Sequence, residues 1–341
     1  MVESSRGRVW AIVLAGGEGE RLRPLTERRF GRHVPKQYCA FVGTRSMLEH
    51  TLDRAAHVAA VERIVTVVGR DHRRYLRGHP ALARGTLVEQ PINRDTAAGA
   101  FLGLSFVLAA DPGASVVIFP SDHFVHPEAT FVATVEQAVR AADLLNQLVV
   151  LGVKPQSAET DYGWILPGDR IAAARTATST YAVKAFHEKP GAELAASLRR
   201  AGAFWNTMVV AGPAALVWAL GQRVLPEVVG RLEPLRAAVH VRSEDVLLAT
   251  AYETMPTRNF SRDYLQRITD RLAVMELGGV TWSDWGNPGR IKEGIEWLGR
   301  RPAFAATPER PRVSRPLVAD ESAGRGENHG AASAPQAITV P

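Results

Sequence analysis

The sequence predicts an α/β fold, with a mostly parallel central sheet and helices on both of its faces. Three observations support this prediction. Strand-like and helix-like segments alternate along most of the 341 residues, a pattern typical of a parallel sheet covered by helices. The first apolar run, Val9–Ala15, suits a buried parallel strand and stops at a glycine-rich loop. Hydrophobic residues make up 46% and charged residues 22% of the chain, as in ordinary globular enzymes.

Each predicted element rests on a local pattern. Five short apolar runs suit buried strands: Val9–Ala15, Ile64–Val68, Val116–Phe119, Leu148–Leu151 and Met208–Ala211. Four helix-like stretches lie between them: Ser46–Val58, Ala97–Ala110, Phe131–Leu145 and Ala192–Ala201. From about Ala306 the chain is rich in Pro, Ala, Ser and Gly, so it buries too little apolar surface to offset its ordering entropy. We therefore predict one domain over residues 1–301 and a disordered tail over residues 302–341.

Composition excludes several classes of partner. No apolar run approaches the roughly 20 residues of a membrane-spanning helix, so we expect no membrane partner. The net charge is +6, and no Lys/Arg cluster is interleaved with aromatic residues, so we expect no nucleic acid partner. A single cysteine, Cys39, rules out an intramolecular disulfide and fits a reducing cytoplasm. We expect a cytoplasmic protein, with a homodimer left open.

The loop after the first predicted strand carries the strongest signal of chemistry. Three glycines in four residues let the backbone approach a bulky anion, so that N–H groups can point at phosphate oxygens. The loop is neither a P-loop, which needs Lys-Ser/Thr, nor a dinucleotide fingerprint, because Leu22 replaces the third glycine. A tight turn with solvated arginines is the alternative interpretation. We predict a nucleoside triphosphate site formed by Ala15, Gly16, Gly17, Gly19, Glu20, Arg21 and Lys36.

A second motif, FPSDH at residues 119–123, follows the predicted strand Val116–Phe119. In open α/β sheets, ligands bind outside the carboxyl ends of the strands. Mg²⁺ usually takes one or two carboxylates and completes its shell with phosphates and waters. We therefore predict that Asp122 binds the metal and that Ser121 contacts the nucleotide. The alternative is that Asp122 caps a helix with help from Ser121; His123 could orient Asp122, contact phosphate or be an ordinary hydrogen-bonded histidine.

A third motif, QPINRDTAA at residues 90–98, precedes the predicted helix from Ala97. Asp95 or Thr96 would cap that helix, which is a sufficient structural reason for either residue. The functional interpretation is that the helix start faces the nucleotide. Gln90, Asn93 and Thr96 would then supply the polar contacts that distinguish one base from another.

Three downstream motifs, YGWI, FHEKP and WNTM, offer groups suited to a sugar phosphate. Glu188, Lys189 and Asn206 provide an acceptor, a cation and an amide. Gly163, beside Tyr162, would let a sugar ring lie close to the backbone. Individually each motif is weak, since the Glu-Lys pair could lie on the surface. Together they predict a sugar-binding side of the site.

The last motif, WSDWGNPG, contains Asp284. A lone Asp in such a turn is commonly an Asx-turn residue. The functional interpretation is a second carboxylate for Mg²⁺.

In this order, the motifs resemble those of the sugar-phosphate nucleotidyltransferases, and within that family the mannose-1-phosphate guanylyltransferase (GDP-mannose pyrophosphorylase) branch. The resemblance covers roughly residues 9–300. It implies a Rossmann-like nucleotidyltransferase fold, with GTP and mannose 1-phosphate as substrates. It implies further roles for particular residues: Mg²⁺ on Asp122 and Asp284, phosphates on Arg21 and Lys36, and the sugar on Glu188 and Asn206. One departure is WNTM where the family commonly has WNSG, which replaces a glycine by Met208 near the sugar.

The reaction implied is in-line attack of the sugar 1-phosphate oxygen on the α-phosphorus of the triphosphate, with pyrophosphate leaving. The attacking phosphate is already anionic, so alignment and charge neutralisation suffice. The predicted catalytic residues are Arg21, Lys36 and Asp122. Three alternatives stay open: a uridylyl-, thymidylyl- or cytidylyltransferase, a non-catalytic sugar-nucleotide sensor, and an interaction protein that recruits a partner through its tail.

Overall fold

A computed structural model describes residues 8–76, 82, 84–239 and 244–300. The described residues belong to one compact unit that spans residues 1–305. The predicted tail, residues 302–341, lies outside the described residues, so its disorder stays a prediction. No helix in the described ranges is long and apolar enough to cross a membrane.

Strands and helices alternate as the sequence predicted. The strands are β1 Val9–Ala15, β2 Ile64–Gly69, β3 Thr86–Gln90, β4 Ser115–Pro120, β5 Phe124–His126, β6 Leu148–Val153, β7 Gly163–Arg170, β8 Thr180–Glu188, β9 Phe204–Pro213, β10 Leu272–Glu276 and β11 Thr281–Ser283. The α-helices are α1 Arg23–Phe30, α2 Met47–Val58, α3 Asp95–Ala110, α4 Glu128–Leu145, α5 Ala192–Arg200, α6 Ala214–Val224, α7 Pro226–Ala237, α8 Glu244–Thr254 and α9 Pro288–Trp297. All five predicted strands and four predicted helices are present, most of them a few residues longer than predicted.

Within the described part of the chain, nine strands form one sheet in the order β3-β2-β1-β4-β9-β6-β10-β8-β7. The first four strands in this order are parallel to one another. β9 runs antiparallel between β4 and β6, and β8 runs antiparallel between β10 and β7. The other seven strands point in one direction, which confirms the prediction of a mostly parallel sheet.

Helices cover both faces of the sheet, also as predicted. On one face, α3 packs against β1 and β2, α6 packs against β9, and α7 packs on α3. On the other face, α2, α4 and α5 pack against the same sheet. α3 is buried along most of its length because it lies between the sheet and α7. The carboxyl ends of β1 and β4 are left between these layers, which is where such folds bind ligands.

A smaller apolar cluster ties the end of the described chain to its beginning. Ile291 and Ile295 of α9 are buried against Leu22 and Cys39. Trp285 belongs to the same cluster. Burial of these side chains fixes the last motif beside the segment that follows the glycine loop.

Candidate active site

A cleft of about 610 Å³ opens at the carboxyl ends of β1 and β4. It brings together residues from four motifs that are far apart in sequence, the fourth being WNTM through Met208. The predicted nucleotide-binding or metal-binding residues that line it are Gly16, Gly17, Gln90, Asn93, Thr96, Ser121 and Asp122. The volume is in the range of small-molecule sites.

The glycine loop is held in place by side chains bonded to its carbonyl oxygens. Gln37 Nε2 donates to the carbonyls of Ala15 and Gly17, at 2.8 Å each. The Tyr38 hydroxyl donates to the Ala15 carbonyl at 3.0 Å. With its carbonyls bonded from within the protein, the loop is suited to presenting N–H groups to an anion. The PKQ string was visible in the sequence, but nothing in it showed that Gln37 and Tyr38 support the loop.

Gly16 is required by the close approach of Gln90. A Cβ atom at position 16 would lie 2.2 Å from Gln90 Nε2, well inside any normal contact. The Gln90 side chain is buried, and its Oε1 accepts a hydrogen bond from the Tyr252 hydroxyl at 3.0 Å. Tyr252, on α8, carried no signal in the sequence because it belongs to none of the motifs.

The ammonium of Lys36 joins the two predicted metal ligands. Its Nζ lies 2.8 Å from Asp122 Oδ2, and it also donates to the main-chain carbonyl of Asp284. The Lys36 side chain is only 7% exposed, so these are contacts of a nearly buried charge. Three motifs that the sequence predicted to act together therefore meet at one cation.

Asp284 is oriented by three donors to a single oxygen. Its Oδ1 accepts from the Tyr162 hydroxyl at 2.8 Å, from the Gly286 N–H at 2.9 Å and from Arg290 Nη1 at 3.0 Å. Arg290 also bonds the Glu159 carboxylate, and its guanidinium lies 4.5 Å from the centre of the Tyr162 ring. Arg290 was not predicted, because an arginine outside the motifs carries no signal in an arginine-rich chain. Its contacts make it a positioning residue for Asp284.

Charge in the site keeps both carboxylates ionised. Desolvation alone would raise the pKa of Asp122, but Lys36 and His123 more than compensate, so this pKa is lowered. The pKa of Asp284 is lowered in the same way, with Lys36 again opposing desolvation. Burial lowers the pKa of His123.

The donor set fits a hydrated magnesium ion. Asp122 and Asp284 are brought together at Lys36, and one or two carboxylates, completed by phosphates and waters, are what Mg²⁺ takes in nucleotide sites. Among the described residues there is no group of three His, Cys, Asp or Glu side chains able to enclose a metal. These residues therefore suit Mg²⁺ better than a metal such as structural zinc, which needs four protein ligands.

The predicted sugar-binding residues lie side by side on β7, β8 and β9. Gly163 pairs with Glu188, and a Cβ atom at Gly163 would lie 2.5 Å from Glu188 Oε2 and 3.1 Å from the Cβ of Asn206. Asn206 is buried and its Nδ2 donates to the Ser261 hydroxyl at 3.1 Å. Lys189 is exposed and its N–H donates to the Tyr162 carbonyl at 3.1 Å.

Two predicted nucleotide-binding residues, Glu20 and Arg21, do not line this cleft. Burial raises the pKa of Glu188, and the positive charge of Arg21 is among those that oppose this rise. Glu20 is exposed, and its carboxylate bonds Arg23 at 2.6 and 2.7 Å. The nucleotide role of Glu20 stays a prediction.

The polar residues of the third motif bond to one another and to the second half of the chain. Asn93 Oδ1 accepts from the Asp95 N–H at 2.8 Å. The Thr96 hydroxyl accepts from the Phe260 N–H at 2.9 Å, and α3 begins at Asp95 rather than at Ala97. The Ser121 hydroxyl donates to a main-chain carbonyl of β1 at 2.6 Å. The structure thus gives these side chains a framework role at the cleft wall.

Comparisons with known proteins agree with this geometry. The nucleotidyl transferase family matches residues 10–295. The mannose-1-phosphate guanylyltransferase RfbM of Salmonella typhimurium is 30% identical over 287 residues, which are 81% of this chain and 56% of that protein. The xanthan biosynthesis protein XanB of Xanthomonas campestris is 34% identical over 206 residues, 58% of this chain and 41% of that protein. This chain thus spans about half the length of these relatives.

A solved structure supports the fold directly. A Thermus thermophilus protein described as a mannose-1-phosphate geranyltransferase superposes with a TM-score of 0.71 at 30% identity. The match covers 86% of this chain and 79% of the Thermus chain. The two proteins therefore share their fold over most of this chain.

Proposed function

Because this chain belongs to the nucleotidyl transferase family, we propose that it joins GTP and mannose 1-phosphate to give GDP-mannose and pyrophosphate. One observation carries the proposal: the buried ammonium of Lys36 joins Asp122, in the wall of the nucleotide cleft, to Asp284, which is bonded to Tyr162 on the sugar side. The choice of guanine and mannose rests on relatives such as the mannose-1-phosphate guanylyltransferase RfbM.

The proposed roles divide the site into a nucleotide side and an acceptor side. The nucleotide side consists of the glycine loop with Arg21 and Lys36 for the phosphates, and of Gln90, Asn93, Thr96 and Ser121 at the cleft wall. The acceptor side consists of Tyr162, Gly163, Glu188, Lys189 and Asn206. The two carboxylates, Asp122 and Asp284, lie at the junction.

The proposed reaction needs no strong base. An oxygen of the sugar 1-phosphate bonds to the α-phosphorus, and the bond from that phosphorus to the pyrophosphate oxygen breaks with its electron pair. Lys36 and Arg21 would neutralise phosphate charge, and Gly16 and Gly17 would let the loop N–H groups reach the departing pyrophosphate. Mg²⁺, held by Asp122 and Asp284, would supply further charge neutralisation and alignment when bound.

The test is a measurement of pyrophosphate release. Purified protein is incubated with Mg²⁺, mannose 1-phosphate and each of the four ribonucleoside triphosphates or dTTP separately. We expect release with GTP. Release with another triphosphate alone would overturn the base assignment but keep the reaction class, and release with none, whatever hexose 1-phosphate is supplied, would favour a non-catalytic sensor.

We also propose a cytoplasmic location, on the basis of the single cysteine, Cys39, which is buried and unpaired. The homodimer stays open, and sedimentation of the full chain would decide it.

A further inference from the structure

Six non-glycine residues in the described ranges have a positive φ angle: Asp95, Asn146, Arg175, Lys189, Met208 and Trp285. Four of them, all except Asn146 and Arg175, belong to the motifs that form the proposed site. Non-glycine residues adopt this left-handed conformation at a cost in free energy, and such residues concentrate at functional sites. The side chain at each of these positions therefore needs a reason that offsets this cost.

Met208 is the hardest of these to explain by local chemistry. Its φ is 58°, and a methionine has no short polar side chain of the kind that lets Asn and Asp tolerate this region. The side chain is only partly buried and belongs to none of the apolar core clusters. Packing in the core therefore does not account for a methionine at this position.

The backbone around Met208 directs its side chain into the cleft. In the pairing of β9 with β6, Asn206 is opposite Gly152 and Val210 is opposite Val150, so β9 bulges around Met208. Asn206 Oδ1 accepts a hydrogen bond from the Met208 N–H at 2.8 Å, which fixes the bulge. Bulges commonly re-aim a side chain beside an active site, and Met208 lines the same cleft as Asp122.

We propose that the Met208 side chain sets the size of the acceptor, because its backbone is bonded to the sugar-side Asn206 while the residue lines the cleft that contains Asp122. It excludes hexose 1-phosphates that carry a bulky ring substituent, such as a 2-acetamido group. This inference rests on the proposed function, because it assumes that a sugar phosphate binds beside Asn206. A methionine is kept at this position, despite the free energy that its left-handed backbone costs, because its side chain confers selectivity.

Two variants separate the effect of the Met208 side chain from the effect of its backbone strain. Met208→Gly removes the side chain and relieves the backbone strain. Met208→Ala removes most of the side chain but keeps a Cβ atom in the left-handed region. Arg175→Gly is the matched control, because Arg175 has a φ of 48°, is exposed and does not line the cleft.

The measurements are thermal unfolding, direct calorimetric binding of mannose 1-phosphate and N-acetylglucosamine 1-phosphate, and pyrophosphate release with each. We expect Met208→Gly and Arg175→Gly to raise Tm and Met208→Ala not to. We expect both Met208 variants to shift the preference toward N-acetylglucosamine 1-phosphate by about tenfold or more, the lower end of what steric pockets discriminate. Arg175→Gly should leave the preference unchanged.

An unchanged binding preference in both Met208 variants would overturn the inference, as would a change confined to the KM for GTP. If the wild type binds a sugar phosphate and the preference shifts, but no pyrophosphate is released, only the proposed reaction fails. If neither sugar phosphate binds any of the proteins, both proposals fail.

Discussion

The nucleotide side and the acceptor side of the site differ in which residues make close backbone contacts or adopt the left-handed conformation. On the nucleotide side the chain uses glycine: Gly16 lies against Gln90, and Gly19 has a φ of 67°. On the acceptor side Gly163 lies against Glu188, but Lys189, Met208 and Trp285 hold left-handed backbone without glycine, as Asp95 does on the nucleotide side. Glycine adopts this conformation freely, whereas other residues need their surroundings to impose it. The nucleotide side is therefore visible in the sequence, and the acceptor side depends on the assembled fold.

The largest expected effect comes from the junction of the two sides. Asp122→Asn removes the charge that pairs with Lys36 and would help to hold Mg²⁺. We expect kcat to fall by about 1000-fold, the upper range for loss of one electrostatic group, with the circular dichroism spectrum unchanged. Asp169→Asn, on an exposed part of β7, is the control and should keep full activity. A folded Asp122→Asn protein with near-normal turnover would contradict the metal assignment.

The next effect tests the support of the acceptor side. Arg290→Ala removes a donor to Asp284 Oδ1 and leaves Glu159 without this partner. Loss of a group that orients a metal ligand typically costs 10- to 100-fold in activity or metal affinity, so we expect a kcat loss of about 30-fold and a higher requirement for Mg²⁺. Arg290→Lys should recover only part of the lost activity, because a lysine ammonium does not reproduce the planar guanidinium that bonds both Asp284 and Glu159.

Arg223→Ala is the control for that experiment, because Arg223 forms an exposed pair with Asp270. Exposed pairs contribute little to stability, so its activity and Tm should stay near those of the wild type. If Arg290→Ala lowers Tm but leaves kcat and the Mg²⁺ requirement unchanged, Arg290 has a structural role only.

A smaller effect tests the glycines of the nucleotide side. In Gly16→Ala the new Cβ atom displaces Gln90, so we expect the KM for GTP to rise about tenfold while the KM for the acceptor is unchanged. In Gly17→Ala the Cβ atom meets no protein atom within 4 Å. A loss of GTP affinity in Gly17→Ala would therefore mean that the new methyl group meets the bound ligand itself.

Gly230→Ala, in α7 with nothing within 4 Å of its Cβ position, is the reference for the substitution. Ala is the better helix former, so Tm should rise with no change in KM. Equal KM values for GTP in all three variants would mean that the loop does not bind the nucleotide.

The smallest effect tests the buried carboxyl of the acceptor side. Burial raises the pKa of Glu188 in the folded state. Stability from this group is therefore present below the unfolded pKa of about 4.3 and is lost as pH rises through the raised folded pKa. We expect Glu188→Gln to raise Tm by a few degrees at pH 7 and not at pH 4, and to weaken acceptor binding.

The matched control for that variant is Glu293→Gln, on the exposed face of α9. Its Tm should follow that of the wild type at both pH values. A Glu188→Gln protein that gains nothing at pH 7 would show that the carboxyl is well solvated.

In the first half of the fold the sequence predicted most elements closely, because these have their own local signals, but it missed α1 and β3. β1 has the predicted bounds, β4 is one residue longer at each end, and α2 begins one residue later. In the second half, strand β7 was not predicted. It contains Pro167 and its pairing with β8 is irregular, so the alternation of apolar residues is interrupted and the strand has no clear period.

The residues that sequence reasoning missed act on other residues rather than on a ligand. Gln37 and Tyr38 bond the loop carbonyls, Tyr252 bonds Gln90, and Arg290 bonds Asp284. Gln37 lies in the PKQ string, which does not show this contact, and the other three residues lie in none of the motifs. Their partners lie far along the chain, so only the folded structure reveals the contact.

By itself the sequence determined the fold class, five of the strands, four of the helices and the list of chemical groups proposed for the site, because strand and helix periodicity and glycine content are local properties. Tertiary structure alone decided that Lys36, Asp122 and Asp284 meet, since burial of α9 against the segment after the glycine loop brings them together. It also decided the left-handed backbone of Met208, which the bulge between β9 and β6 imposes. Such a conformation is a property of the assembled sheet and leaves no pattern in the residues that adopt it.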